Sequence, residues 1–348
     1  MIHRVTRRGS WTGGGLVAVG LVVASLMAPH PAAAQASAPS AKDMEIIVGM
    51  PPGGGVDAYA RLVQRHLPGH LPGTPSIIVQ NMPGAGSLRS VLAVSHSAAD
   101  GSVIGTFSSS LLIEAIARPD RLQGLDFRDY TFLGNLSEDI RVCFVRSAIG
   151  LQSLADINKS DRPVIFAATA RGTSGDIDVA VMRNLFGMKI KQVDGYQGSA
   201  AKRLAIENGE VDGDCAGFVE LPQNWLAEGS VKLLVRMSPT LIERLDSTIP
   251  YGGDVLTDPD ARQIYGFLIA PERLGRIFMV SSKVPAEKKT LLRAGFDAMV
   301  KDPAFLTEAE KQGLSVLPLS GEEVDRRIAE LYKTPPELLA KARAITGD

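Results

Sequence analysis

The residues best placed for chemistry near the start of this chain are backbone amides. In Ile46-Ile47-Val48-Gly49-Met50-Pro51-Pro52-Gly53-Gly54-Gly55-Val56-Asp57-Ala58-Tyr59-Ala60-Arg61-Leu62-Val63 an apolar strand runs into a Pro/Gly turn. A helix follows, with apolar residues at Val56, Tyr59, Ala60, Leu62 and Val63. The prolines cannot donate to a ladder, so the strand ends there. Gly53, Gly54 and Gly55 then bring bare N–H groups to the helix mouth. Unpaired donors and about half a positive charge at such a terminus suit a carboxylate or phosphate. The spacing is neither G-x-x-x-x-G-K-[ST] nor G-x-G-x-x-G, which disfavours a nucleotide loop. The same glycines would serve a plain strand–helix connection, and Asp57 would equally answer the helix dipole.

Further candidates stand in loops of the same kind. Ser108, Ser109 and Ser110 follow a strand and can donate to a carboxylate or cap a helix. Thr169-Ala170-Arg171-Gly172-Thr173-Ser174-Gly175-Asp176 follows another strand. Arg171 offers a planar fork that matches a second carboxylate across a cleft; as a rim residue it would lie in solvent or pair with Asp176. Tyr196, before Gly198, presents a hydroxyl to a ligand or packs at the cleft edge. Asp212 and Asp214 suit a turn at least as well as a ligand contact. Of the histidines, His3 and His30 fall in the leader, while His66, His70 and His96 lie outside the strand-end loops. That leaves no base for a Ser-His-Asp hydrolase. The absence of H-E-x-x-H, C-x-x-C or clustered ligands argues against a metal or another cofactor. A secreted hydrolase is the remote alternative.

The whole chain bounds these choices. Its 348 residues suffice for two domains once a leader is removed. With 37 basic and 38 acidic residues it offers no nucleic-acid surface, and 5% aromatics provide few stacking platforms. Arg4, Arg7 and Arg8, an apolar stretch over residues 16–27 and Ala32-Ala33-Ala34 read as a cleaved secretory signal peptide, residues 1–34. The apolar stretch is too short for a membrane span. No lipobox cysteine precedes the cut, which argues against a lipid anchor. The protein is expected in the periplasm. Cys143 and Cys215 sit in apolar strand-like runs; an oxidising compartment permits their disulfide, while free buried cysteines would behave as small hydrophobes.

An Ala/Ser/Pro linker, residues 35–43, precedes the positioning elements. Strand–loop–helix units follow at 44–66, 76–94 and 103 onward, with strands near Phe132 and Arg141 and a helix opened by Ser153 as N-cap. A second series starts at Val164 and closes with a strand over 232–236. This rhythm predicts parallel sheets with ligand sites at the strand C-termini. Beyond Pro259, short runs at 264–270 and 277–280 read as strands returning to the first half. Helices follow over 286–301, 303–312, 321–331 and 336–345, the third started by Ser320 with Glu323. Two lobes result: residues 44–140 with 237–348, and residues 141–236.

The loop order carries a resemblance. Pro51-Pro52-Gly53-Gly54 with Asp57, Asn81-Met82-Pro83-Gly84-Ala85-Gly86, Ala99-Asp100-Gly101, Gly172-Thr173-Ser174, Gly195-Tyr196-Gln197-Gly198-Ser199 and Gly209-Glu210-Val211-Asp212 follow one another as in the Bug/TctC family. These are extracytoplasmic solute receptors of tripartite tricarboxylate transporters, and the likeness spans roughly residues 44–345. It implies an α/β, type II periplasmic-binding-protein fold: two lobes, crossing strands as a hinge, and a helical C-terminal segment. It implies a monomeric receptor that closes on a di- or tricarboxylate or aromatic acid and delivers it to inner-membrane permease subunits. Its ligand-binding positions fall here on Gly53, Gly54, Gly55, Asp57, Ser108, Ser109, Gly172, Thr173, Ser174, Tyr196, Gly198 and Asp212; the residues add Thr169 and Arg171. A receptor feeding a sensor kinase is the alternative. The chain departs from the family pattern at Met50, Gly55-Val56, Arg171, Asp176 and Asp214-Cys215-Ala216-Gly217, where ligand identity would be set.

Overall fold

A computed structural model describes residues 43–347, so the predicted signal peptide and most of the linker lie outside the described residues. Strands β1 (Met44–Val48), β2 (Ile77–Asn81), β3 (Val103–Thr106), β4 (Tyr130–Asn135), β5 (Arg141–Arg146) and β6 (Val164–Ala167) come first. They are followed by β7 (Ile190–Val193), β8 (Gly213–Gly217), β9 (Val231–Arg236), β10 (Ile277–Ser281) and β11 (Leu319–Ser320). One sheet runs β11-β4-β10-β3-β1-β2 and the other β7-β6-β8-β5-β9.

Helices fill the connections. They are α1 (Gly55–His66), α2 (Leu88–Ser95), α3 (Ser110–Ala117), α4 (Asp156–Lys159), α5 (Ser174–Ala180), α6 (Ser199–Glu207) and α7 (Gln223–Ala227). Then come α8 (Gly252–Val255), α9 (Pro259–Ile269), α10 (Ala286–Met299), α11 (Pro303–Lys311), α12 (Gly321–Leu331) and α13 (Pro336–Thr346). A π turn, Val181–Leu185, continues α5 without a break.

The predicted strand–loop–helix rhythm is present, but the sheets are mixed rather than parallel. β1 pairs parallel with β2 and β3, and β6 with β7 and β8. β10 runs antiparallel to β3 and β4, and β5 runs antiparallel to β8 and β9. Two of the antiparallel members, β5 and β10, are reached by crossing: the chain passes from β4 to β5 over residues 136–140 and returns from β9 to β10 over 237–276, while β11 adds antiparallel to β4 at the edge. A chain that arrives from the other sheet need not enter in the βαβ sense.

Packing follows the patterning. β1 is buried on both faces, and α1 turns Val56, Tyr59, Ala60, Leu62 and Val63 into the first core beside Phe278 and Phe296. The second core gathers Phe166, Ile177, Val181 and Met182, with Tyr265 and Phe267 of α9 and Ala342 of α13 packed into it. α12 buries Val324 and Ile328 beside Phe132 and Met279. No helix among the described residues is long and apolar enough to cross a membrane.

Two local expectations change and one open question closes. Residues 264–270 belong mostly to α9 instead of a strand: Asp258 accepts the Asp260 and Ala261 N–H groups as N-cap, and Pro259 stands at the first helical position. Ser153 is not the N-cap of α4. Its amide and hydroxyl donate to Asp156, and Ala155 stands at the cap. The cysteine question, open in the sequence, closes on pairing: Cys143 and Cys215 are register partners in β5 and β8 and form a disulfide.

Candidate ligand-binding cleft

The strand ends of the two sheets face one another, and three helices begin there. α1, α5 and α6 have Gly54, Thr173 and Gly198 at their N-caps, none with a side-chain cap hydrogen bond. Between them lies a cavity of about 60 Å³, bordered by Gly54, Gly55, Ser108, Ser174, Lys202 and Glu220 among others. A water needs about 10–15 Å³ of such space, so the cavity takes a small polar group or a few waters.

Each loop is tied back by an aspartate. Gly53, at φ +81°, donates its N–H to Asp57 Oδ2 at 2.9 Å, and Asp57 also accepts from Arg61 and Asn81. Burial pushes the Asp57 carboxyl up, but these donors outweigh it and hold it below its usual range. Gly172, at φ +75°, donates in the same way to Asp176 Oδ2 at 2.9 Å. Positive φ is the region glycine enters without steric cost, which explains both glycines.

Beneath the loops runs a buried charge network. Arg276 lies under the first: a Cβ on Gly55 would stand 2.7 Å from its Nη2. Arg141 lies under the second, its Nε on Asp178 at 2.5 Å and its Nη2 on the Cys215 carbonyl at 2.8 Å. Asp139 joins them, 2.7 Å from Arg276 and 3.3 Å from Arg141. Burial raises the Asp139 carboxyl, yet the two guanidiniums hold it below the usual carboxylate range. Burial drives Asp178 and Glu272 up, Glu272 strongly, with the Asp178 charge adding to its rise. On the second-lobe side Lys202 meets Asp214 at 2.6 Å, and burial raises Asp214 to about 6 against that pairing. Arg276 Nε and Asp214 Oδ1 are buried and lack hydrogen-bond partners.

The structure brings together much of the predicted set. Gly54, Gly55, Ser108, Thr169, Thr173, Ser174 and Gly198 border the cavity. Ser108 Oγ lies 2.8 Å from Ser110 Oγ and 3.4 Å from Ser174 Oγ, so hydroxyls from both lobes meet. Tyr196 borders an adjoining space of about 240 Å³ with Thr169, Thr173 and Gly198. Its hydroxyl donates to Glu210 at 2.7 Å, and burial with the Glu210 charge pushes it up to about 12. Gly53 faces outward, into a separate space shared with Gly54 and Gly55.

Other predicted residues are not brought there. Asp57 spends its oxygens on its own loop. Ser109 is the N-cap position of α3 and is buried away from the cavity. Gly172 shapes the loop behind it. Arg171 is exposed and does not reach the cavity, and Asp176 is engaged by Gly172 and Gln192 instead of by Arg171. Asp212 is 2% exposed and takes both guanidinium nitrogens of Arg162 and the Ile165 amide, which fixes the turn before β8.

The sequence reading missed Asp139, Arg141, Lys202, Glu220 and Arg276. A signal existed for one of them: Arg141 adjoins the apolar run over residues 142–145, and a charge buried in such company needs a partner. The others come from segments far apart in the chain.

No family model matches the chain. BugT from Bordetella pertussis is 25% identical to it over 228 residues, 64% of this chain and 68% of BugT. In structure, the periplasmic binding protein BugD aligns with a TM-score of 0.71 at 16% identity, over 86% of this chain and 97% of that one. MatC from Rhodopseudomonas palustris, solved with bound malate, aligns with a TM-score of 0.67 at 17% identity, over 88% and 99%. The chain thus shares the fold of BugD and is similar in sequence to BugT, which supports the Bug/TctC resemblance carried by its loops.

Proposed function

We propose that this protein is a periplasmic receptor that captures a small organic carboxylate between its lobes, closes on it, and presents it to a tripartite tricarboxylate transporter permease. The observation that carries the reading is the convergence of the N-termini of α5 and α6, whose capping residues make no side-chain hydrogen bond, with Ser108, Ser174 and the buried cation Lys202 on one small polar cavity. Helix-end amides and buried cations both favour an anion, and neither needs a reacting group. The malate bound by MatC fits the same reading.

Ser108, Thr173, Ser174 and Lys202 are the proposed ligand contacts, with Gly54, Gly55, Thr169 and Gly198 forming the walls. The lobes would comprise residues 44–140 with most of 237–348, and residues 141–236, with α9 and α13 packing on the second. Closure then follows from contacts that a ligand makes to both lobes at once.

A thermal-shift screen of residues 35–348 against mono-, di- and tricarboxylates tests this. A ligand at about 100 times its Kd adds about 2.7 kcal/mol, a shift of a few degrees. No shift with any acid, while the protein stays folded and monodisperse, would contradict the reading.

A further inference from the structure

Glu220 stands at one end of the cavity, in the turn that follows β8. Its Oε1 accepts the Gly55 N–H at 3.2 Å, at the first residue of α1. Its Oε2 accepts the Ser199 hydroxyl at 2.6 Å, at the first residue of α6. A carboxylate of the protein's own second lobe thus occupies the N-terminus of the first lobe's leading helix. That is the position a helix end makes favourable for an anion.

Glu220 is also a wall. Together with Gly54 and Gly55 it borders the inner cavity and a wider space of about 320 Å³ on the far side, lined by Ala58, Arg203 and Leu314 among others. The opposite end of the inner cavity carries no acid of this kind. There Ser108 and Ser174 meet, and Lys202, paired with Asp214, belongs to the same lining, whereas Arg276 lies at the Gly55 end beside Glu220. One end already holds a negative charge; the other still offers donors.

We propose that Glu220 determines specificity by filling one of two anion positions, so that the ligand is a small monocarboxylate. Resting on the carboxylate-receptor reading, this narrows it: the ligand carboxylate lies on the Ser174 and Lys202 side, and an uncharged group faces Glu220. A second carboxylate meets a like charge at close range and a closed end. Rejecting the wrong ligand with a repulsive group is a recognised route to specificity.

The test is calorimetric titration of residues 35–348 with chain-matched acids: propionate, butyrate and 2-hydroxybutyrate against malonate, succinate and malate. Wild type is expected to bind the monoacids more tightly than their diacid partners. Glu220→Gln keeps the shape and removes the charge, and should raise diacid affinity relative to monoacid by about tenfold or more. Glu220→Asp keeps the charge and should still reject diacids, which separates charge from loss of packing; circular dichroism confirms that both variants fold. Diacids bound by wild type as tightly as monoacids, or a preference untouched by Glu220→Gln, would overturn this inference while leaving the carboxylate reading intact. Binding of no acid by any of the three proteins would overturn both.

Discussion

The two loops that open α1 and α5 are built alike and end differently. In each, a glycine at positive φ donates its amide to an aspartate four residues later, Gly53 to Asp57 and Gly172 to Asp176. In each, a buried guanidinium lies beneath, Arg276 or Arg141, and Asp139 links the pair. Yet the mouth of the first loop is closed by Glu220, whereas the second presents Thr173 and Ser174 to open space. The difference teaches that a shared way of building a helix mouth does not make a shared site. What the mouth accepts depends on what a distant segment places in front of it.

The largest expected effect comes from breaking the shared foundation. Arg141→Met would strand Asp178 and Glu272 without their nearest counter-charge and leave Asp139 to Arg276 alone, and removing one partner of a buried ionic group costs about 3–5 kcal/mol. Urea denaturation measures it, and a loss below about 1 kcal/mol would mean that the network contributes little.

The aspartate ties should differ in weight. Asp57→Ala removes acceptors for Gly53, Arg61 and Asn81 from a side chain only 3% exposed, a loss of about 2–3 kcal/mol. Asp176→Ala removes acceptors for Gly172 and Gln192 at a half-buried position, and should cost about 1 kcal/mol. Equal losses would remove the asymmetry between the loops.

Acid should distinguish the two sides. Asp214, beside Lys202, has its carboxyl raised from 3.8 to about 6 in the folded protein. Between those values the native state holds more protons than the unfolded chain, so this group makes stability fall as pH rises through that window and leaves it level above. Asp139 and Asp57, both lowered, contribute stability that is present above the ordinary carboxylate value and lost as pH falls through their folded values. Denaturation midpoints for wild type and Asp214→Asn between pH 4 and 7 isolate the first slope; an unchanged difference across that range would contradict it.

The smallest expected effect is at Arg171. Being exposed and off the cavity, Arg171→Ala should leave carboxylate affinity within about twofold. A tenfold loss by titration would return this arginine to the site.

What the sequence made legible was the part that is local. Pro51-Pro52 followed by glycines, and the Gly172-Thr173-Ser174 run, announce strand–loop–helix junctions within a few residues, and both junctions formed at the cavity. The Ser320 cap with its Glu323 amide was equally local and also formed. At α9 the start signal Asp258-Pro259 was present, but the apolar run after it outweighed it in the reading. The charged floor was not legible, because Asp139, Arg141, Lys202, Glu220 and Arg276 meet only after the chain has crossed twice between sheets. Arg171 misled for the complementary reason. Its chemistry suits a carboxylate, but its backbone position turns it to solvent.

A crystal structure of the mature protein with its tightest-binding acid tests the central claim most directly. The account predicts the ligand carboxylate within hydrogen-bond reach of Ser174 and on the Lys202 side, with Glu220 still accepting from Gly55 and Ser199. An acid seated on the Gly55 amide with Glu220 displaced, or bound outside the space between the two loops, would contradict it.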